Sequence, residues 1–409
     1  MTGRRRYPNR TRSRRARLAS LAVAGVATAL STQGGAAQER SVEAARDTLD
    51  RPLVRGGRGD RPYLADLAGR LALGGYAEAH LRYEREDGIT EDLGFEAKRF
   101  NLFFNSQISD FIRFGAEVEF EDAASEILLE YMTVDLTLHR SVALRAGMLL
   151  LPVGRFNLAH DSPRNPFTDR PFVSEDILSV ALSQPGLGAF GATPLGGLAR
   201  LTYELYAVNG FDDGLLDVED GTRLPGGRRN FENNNRRLSL TGRVAVEPNA
   251  DISIGLSGMH GQYNESTIDG EVVDEGRDVT IGVLDWDVAT GPIELSGEAA
   301  VAEVDIPPGL AGVAASRQWG VYGDLVVPFG AGWLAAMPRS RFEAKARLDW
   351  VDFDRDVAGD DRGRLSFGVN FRPTADTVFK LEYFRGTSHD RFNNAASQAG
   401  ILFSAATYF

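Results

Sequence analysis

The chain has 409 residues, 43% of them hydrophobic and 25% charged, with 45 Gly, 17 Pro and no Cys. The lack of Cys excludes a disulfide framework, a thiolate metal site, a Cys nucleophile and a lipid-anchored N-terminal Cys. Eight Arg fall within the first 17 residues, so removing that segment deepens the net charge from −12 to −20, and a polyanionic body of this kind argues against nucleic-acid binding.

Residues 1–37 divide into an Arg-rich start ending at Arg17, an apolar run Leu18–Leu30 and small residues to Ala37. A run of thirteen residues at ~1.5 Å rise reaches roughly 20 Å, short of a ~30 Å hydrocarbon core. With Gly35 and Ala37 ahead of Gln38, the segment reads as a secretory signal cleaved near Ala37. Residues 38–71 are polar and rich in Arg and Asp, and read as a periplasmic lead-in or linker without a fixed fold.

From Leu73 onward the dominant period is two. Ile112, Phe114, Ala116, Val118 and Phe120 alternate with Arg113, Gly115, Glu117 and Glu119; Phe342, Ala344, Ala346, Leu348 and Trp350 alternate with Arg341, Glu343, Lys345, Arg347 and Asp349. The pattern predicts sixteen strands, over 73–84, 96–108, 111–121, 126–138, 141–150, 187–193, 198–209, 236–247, 251–262, 278–289, 292–304, 317–328, 340–353, 363–372, 376–387 and 396–409. Two of these break alternation: in 278–289 the apolar set shifts after Val283, as a β-bulge or a misplaced strand would make it, and 126–138 is similarly ambiguous.

A soluble sandwich and a membrane barrel both alternate, but their loops differ. Connections after even-numbered strands are mostly tight turns, with the longer 329–339 an exception. Those after odd-numbered strands include 85–95, 151–186, 210–235, 263–277, 305–316 and 354–362. Short turns at one end and long loops at the other mark an outer-membrane barrel, periplasmic below and extracellular above. The fold class is therefore all-β, a transmembrane antiparallel β-barrel of about 16 strands over residues 72–409. The last strand ends in Phe409, which resembles the C-terminal Phe that barrel-assembly machinery reads in many outer-membrane proteins.

The stretch Val142–Met148 leading to Leu151-Pro152-Val153-Gly154-Arg155-Phe156-Asn157, followed by Asp169-Arg170-Pro171-Phe172, resembles the phosphate-selective porin O and P family. The likeness is most specific at 142–172 and diffuse over the rest of 72–409. It implies a homotrimeric porin among outer-membrane lipid and lipopolysaccharide, with the loop after the fifth strand folded into the pore and small solutes passing through it. On that reading Arg155, Arg164 and Arg170 face the solute, or else pair with a neighbouring Asp such as Asp161 or Asp169 and brace the loop. Strand parity assigns Arg99, Arg113, Arg145, Arg243, Lys345, Arg347 and Glu117 to the pore wall. Only three Lys occur in the chain, against the family's Lys and Arg arrays, so anion preference through Arg and general diffusion both stay open.

Other motifs are weaker. Gly186 to Gly191 matches G-x-G-x-x-G but has no strand–helix context. The five His show no metal spacing or triad pattern, and the acidic 212–220 segment lacks an EF-hand's spacing. No cofactor, metal or catalytic set is expected. The alternatives to a porin are a barrel enzyme, protease or lipase, and a structural or adhesion barrel with a plugged lumen.

Overall fold

β-Branched and aromatic residues on one face, with charges on the other, suit a sheet whose two sides meet different media. The computed structural model describes residues 51–67, 71–217 and 221–409; the segment 1–37 expected to be a secretory signal lies outside them. Sixteen antiparallel strands close into a ring: β1 Leu71–Glu86, β2 Ile89–Gln107, β3 Ile112–Glu121, β4 Glu126–His139, β5 Val142–Leu150, β6 Ser183–Gly196, β7 Ala199–Val208, β8 Ser239–Asn249, β9 Ile252–Gln262, β10 Asp278–Thr290, β11 Ile293–Val304, β12 Arg317–Phe329, β13 Arg341–Asp352, β14 Asp361–Arg372, β15 Thr377–His389 and β16 Ala395–Tyr408. Closure is by β1 on β16, from Tyr76 opposite Tyr408 to Glu86 opposite Gln398. A further short strand, Leu64–Leu67, pairs with the start of β1.

The outer face is apolar and uncovered. Val244, Leu256 and Leu284 form one row across β8, β9 and β10 and are 47%, 66% and 46% exposed. At the short-turn end, Phe329, Phe342, Phe371 and Phe379 continue ring to ring, with centroids 5.7, 5.1 and 6.4 Å apart. Phe409 extends this belt at the seam: its ring stacks on Phe100 at 5.4 Å and its N–H donates to the Gly75 carbonyl at 3.1 Å. A Cβ on Gly75 would lie 2.6 Å from that ring, so the seam requires glycine there.

Most loops sort by end as the spacing predicts. The exception is 85–95, which is not a loop: β1 and β2 continue to a two-residue turn at Asp87-Gly88, with φ +47° and +85°. An Asp-Gly pair with both φ positive is the favoured tight hairpin turn. Glu84, Glu86, Glu91 and Asp92 disguise the ladder by removing its apolar alternation. The fifth loop also ends earlier than expected, because β6 begins at Ser183.

The two irregular strands resolve differently. In β4 the register slips so that Glu117 faces Tyr131 and Val118 faces Leu129, leaving Glu130 as a bulge turned inward. β10 keeps continuous register on both neighbours. Its inward side is apolar at Val279, Ile281 and Val283 and acidic at Asp285 and Asp287, because the lumen it faces changes from a packed core to a polar zone.

Candidate pore lumen

The segment between β5 and β6, residues 151–182, folds inside the ring. It contains the short helical turns Phe156–Leu158 and Val173–Ile177. Leu151, Val153, Phe156, Val173, Ile177 and Leu178 are buried with Tyr206, Val279, Ile281, Val283 and Tyr322 of the wall in one apolar cluster. The loop between β7 and β8 adds Phe211, Leu215 and Leu224 to that cluster. Apolar burial therefore anchors the loops to the wall between β7 and β13, with several large side chains each contributing about 1.5–3 kcal/mol.

Polar clamps fix the rest of the loop. Glu298 of β11, fully buried, accepts from the Phe156 N–H at 2.6 Å and the Ser174 hydroxyl at 3.1 Å. A Cβ on Gly154 would sit 2.9 Å from the same carboxylate, and φ there is +76°, so glycine is needed at the loop's entrance. Asp169 is held between Arg364, at 2.7 Å, and Arg82.

The second insertion into the lumen is the stretch that composition marks as a lead-in. Residues 51–63 lie against inward-facing side chains. Arg61 is buried and reaches Asp161 of the loop at 2.5 and 2.8 Å, Glu117 of β3 at 2.7 Å, and the face of Phe103 at 4.0 Å. Arg58 donates to Thr133 at 3.0 Å and Asp135 at 3.1 Å. Arg55 donates to Asp287 at 2.9 Å, and Arg51 to the Leu198 carbonyl at 3.1 Å. Burial would raise the Asp161 carboxyl, but Arg61 outweighs it and holds it below the ordinary carboxylate range.

The three loop arginines pair with acids outside their own loop. Arg155 meets Asp287 of β10 at 2.7 Å. Arg164 meets Asp60 of the N-terminal stretch at 2.7 Å. Arg170 donates to the Val180 carbonyl at 3.3 Å and stands 3.9 Å from Glu119. On the wall, Arg145 binds Asp135 at 2.7 and 3.0 Å, Arg243 binds Asp285 at 2.6 and 2.9 Å, and Arg347 binds Asp324 at 2.6 and 2.7 Å. Arg99 contacts Glu78 at 3.0 Å and Glu121 at 2.9 Å; Lys345 contacts Glu382 and the Pro166 carbonyl; Glu117 also accepts from Asn101 at 2.7 Å. Arg113 differs, being exposed and bonded to Gln107 at 3.2 Å.

Two cavities are lined by these inward-facing residues. One, of about 360 Å³, is lined by Pro52, Arg58, Asp135, Arg145 and Glu204. The other, of about 310 Å³, is lined by Arg82, Arg99, Asp169, Arg170, Arg362 and Arg364 among others. In the second, Arg362 and Arg364 stack on Phe172 at 3.8 and 4.4 Å. The Ser162, Glu78 and His80 side chains meet in the wrong order for a nucleophile and its base: Ser162 donates to Glu78, which in turn meets His80 at 2.9 Å, so the carboxylate rather than the imidazole sits beside the hydroxyl. Among the described residues no group of His, Asp or Glu could hold a metal ion.

Arg55, Arg58, Arg61 and Arg82 belong to this site and are not singled out by periodicity, whereas strand parity places Glu298 on the inner face. The recurrence of Arg at 51, 55, 58 and 61 in an otherwise Gly/Pro-rich stretch is the signal that marks the first three. Glu298 has none beyond its parity.

No family model matches the chain. Among solved structures it is similar to the anion-selective porin from Comamonas acidovorans, with TM-score 0.53, 15% identity and coverage of 83% of this chain and 99% of that one. The outer membrane channel DcaP of Acinetobacter baumannii gives TM-score 0.53 at 13% identity, covering 85% and 99%. The Salmonella typhi OmpF complex with daunomycin gives 0.54 at 11% identity, covering 85% and 100%. At such identities the likeness establishes the fold: a closed porin-like barrel. An uncharacterized protein of Aquifex aeolicus is 28% identical over 195 residues, 46% of this chain, and the matched region spans 43% of that relative's length.

Proposed function

We propose that the protein is an outer-membrane porin, a water-filled channel through which small hydrophilic solutes diffuse passively, narrowed by the inward loop 151–182. The observation that carries this reading is the sorting of side chains across the ring wall: uncovered apolar rows outside, paired charges inside, and an aromatic belt at the short-turn edge. Lipid outside and water inside is the arrangement that stabilises both faces at once. The short turns then face the periplasm, and Phe409 takes the place of the assembly signal. A homotrimer within lipopolysaccharide, and descent from the phosphate-selective O and P group, belong to the same proposal, supported by the 142–172 motif.

For selectivity we favour anions. The cavity beside Phe172 brings Arg82, Arg99, Arg170, Arg362 and Arg364 together and stays net basic against Glu84, Glu86, Glu91, Asp169 and Glu175; guanidinium groups bind carboxylate or phosphate oxygens in pairs. A second reading, a plugged structural barrel, is favoured by one observation: inward charges such as Glu117, Asp285 and Lys380 are fully buried.

Single-channel recording of the purified protein in a planar bilayer separates the two. The porin reading expects ohmic steps, with a reversal potential on the anion side under a salt gradient. A bilayer that stays silent over repeated insertions would overturn it in favour of the plug.

A further inference from the structure

We infer that residues 51–63 are a polycationic strap that narrows the channel when seated in the lumen and widens it when withdrawn, changing ion preference as it moves. The inference rests on the pore reading above. Within these 13 residues four Arg face one Asp, and three of the four Arg cover inward carboxylates from four places on the wall and loop: Arg55 on Asp287, Arg58 on Asp135, and Arg61 on Glu117 and Asp161. The seated strap therefore adds cations to the acidic part of the lumen, where Asp287 and Asp135 also meet Arg155 and Arg145, leaving the mixed but net-basic cavity around Phe172 to set the preference.

Its attachment suits a movable element. Ion pairs taken out of water return little net stability, because desolvation offsets most of their attraction. Val54 is the one buried apolar side chain between 51 and 63, so little hydrophobic burial opposes withdrawal. Gly56 stands at φ +80°, and Gly57 is pressed against the loop, where a Cβ would lie 2.8 Å from the Leu158 carbonyl. The strap is tethered beyond residue 63 by the Leu64–Leu67 ladder on β1, which gives it a fixed end about which to move.

The test compares the full-length protein with two variants in planar bilayers. Arg55→Ala/Arg58→Ala/Arg61→Ala removes three positive charges and loosens the strap, leaving Glu117 and Asp161 without their cation while Asp287 and Asp135 keep Arg155 and Arg145. It is expected to raise unitary conductance roughly two-fold or more and to shift the reversal potential toward cations, as charges lining a narrow pore dictate. The second variant, Gly56→Cys/Ala159→Cys, joins strap to loop. The two Cβ positions are 3.8 Å apart, within disulfide reach, and the parent chain has no Cys to compete; the positive φ at Gly56 strains the Cys in the oxidised and reduced forms alike, so the comparison is made between those two forms. Oxidised, it should hold the low-conductance level; reduced, it should recover the higher one. A conducting parent whose current matches the triple variant, and a cross-linked pair indifferent to reductant, would overturn the strap while leaving the pore reading intact. Silence in parent, triple variant and reduced pair alike would overturn the pore reading and the strap with it.

Discussion

Arg347→Ala is expected to destabilise the folded barrel by about 3–5 kcal/mol, read as a lowered urea midpoint in detergent micelles with the slope unchanged. The guanidinium holds Asp324 with two bonds, donates to the Asp169 carbonyl at 2.8 Å and lies over Phe167 at 4.4 Å. Removing it strands the Asp324 carboxylate and leaves the Asp349 carboxylate, 4.0 Å away, with one cation fewer. The paired change Arg347→Met with Asp324→Leu should recover most of the loss, because replacing both partners of a buried pair by apolar groups leaves no unpaired charge. A loss below about 1 kcal/mol for the single substitution would show these charges to be water-solvated rather than sealed beneath the inward loop.

Leu256→Arg addresses the other side of the wall. Leu256 sits midway along β9, between Val244 and Leu284, at the centre of the uncovered apolar row. If that row faces acyl chains, the substitution should cost about 2–4 kcal/mol in lipid vesicles, the penalty of a cation near the bilayer midplane. In water a polar residue on an exposed surface changes stability by no more than about 0.5 kcal/mol. Equilibrium unfolding from vesicles distinguishes the two values.

The ring was legible because the period-two pattern and the turn chemistry agree along most of its length. Phe342 to Trp350 against Arg341 to Asp349 places β13 within a residue of its observed ends. Legibility failed where one face lost its character. The β1–β2 hairpin runs past its apolar zone into Glu84, Glu86, Glu91 and Asp92, so a ladder looks like a loop. β10 turns apolar inside at Val279, Ile281 and Val283 because the inward loops build a core there, an interaction between segments far apart in the chain that no local pattern encodes.

The lumen was readable in composition but not in pairing. Parity placed Arg145, Arg243 and Arg347 on the inner face, yet their partners Asp135, Asp285 and Asp324 follow from cross-strand register. The loop arginines Arg155 and Arg164 find acids on β10 and on the N-terminal stretch rather than within the loop. That stretch lacks the apolar residues that signal burial, because it is held by charges already present on the wall.

The wall's orientation is tested most directly by tryptophan quenching. Trp286, Trp319 and Trp350 project from the outer faces of β10, β12 and β13, and Trp333 lies in the 330–340 turn at 70% exposure; these are all four Trp of the chain. Reconstituted into vesicles whose acyl chains carry bromine, the protein should lose most of its tryptophan fluorescence relative to unbrominated vesicles. Emission that is unaffected by the brominated chains, from protein shown to be folded, would contradict a greasy exterior bathed in lipid.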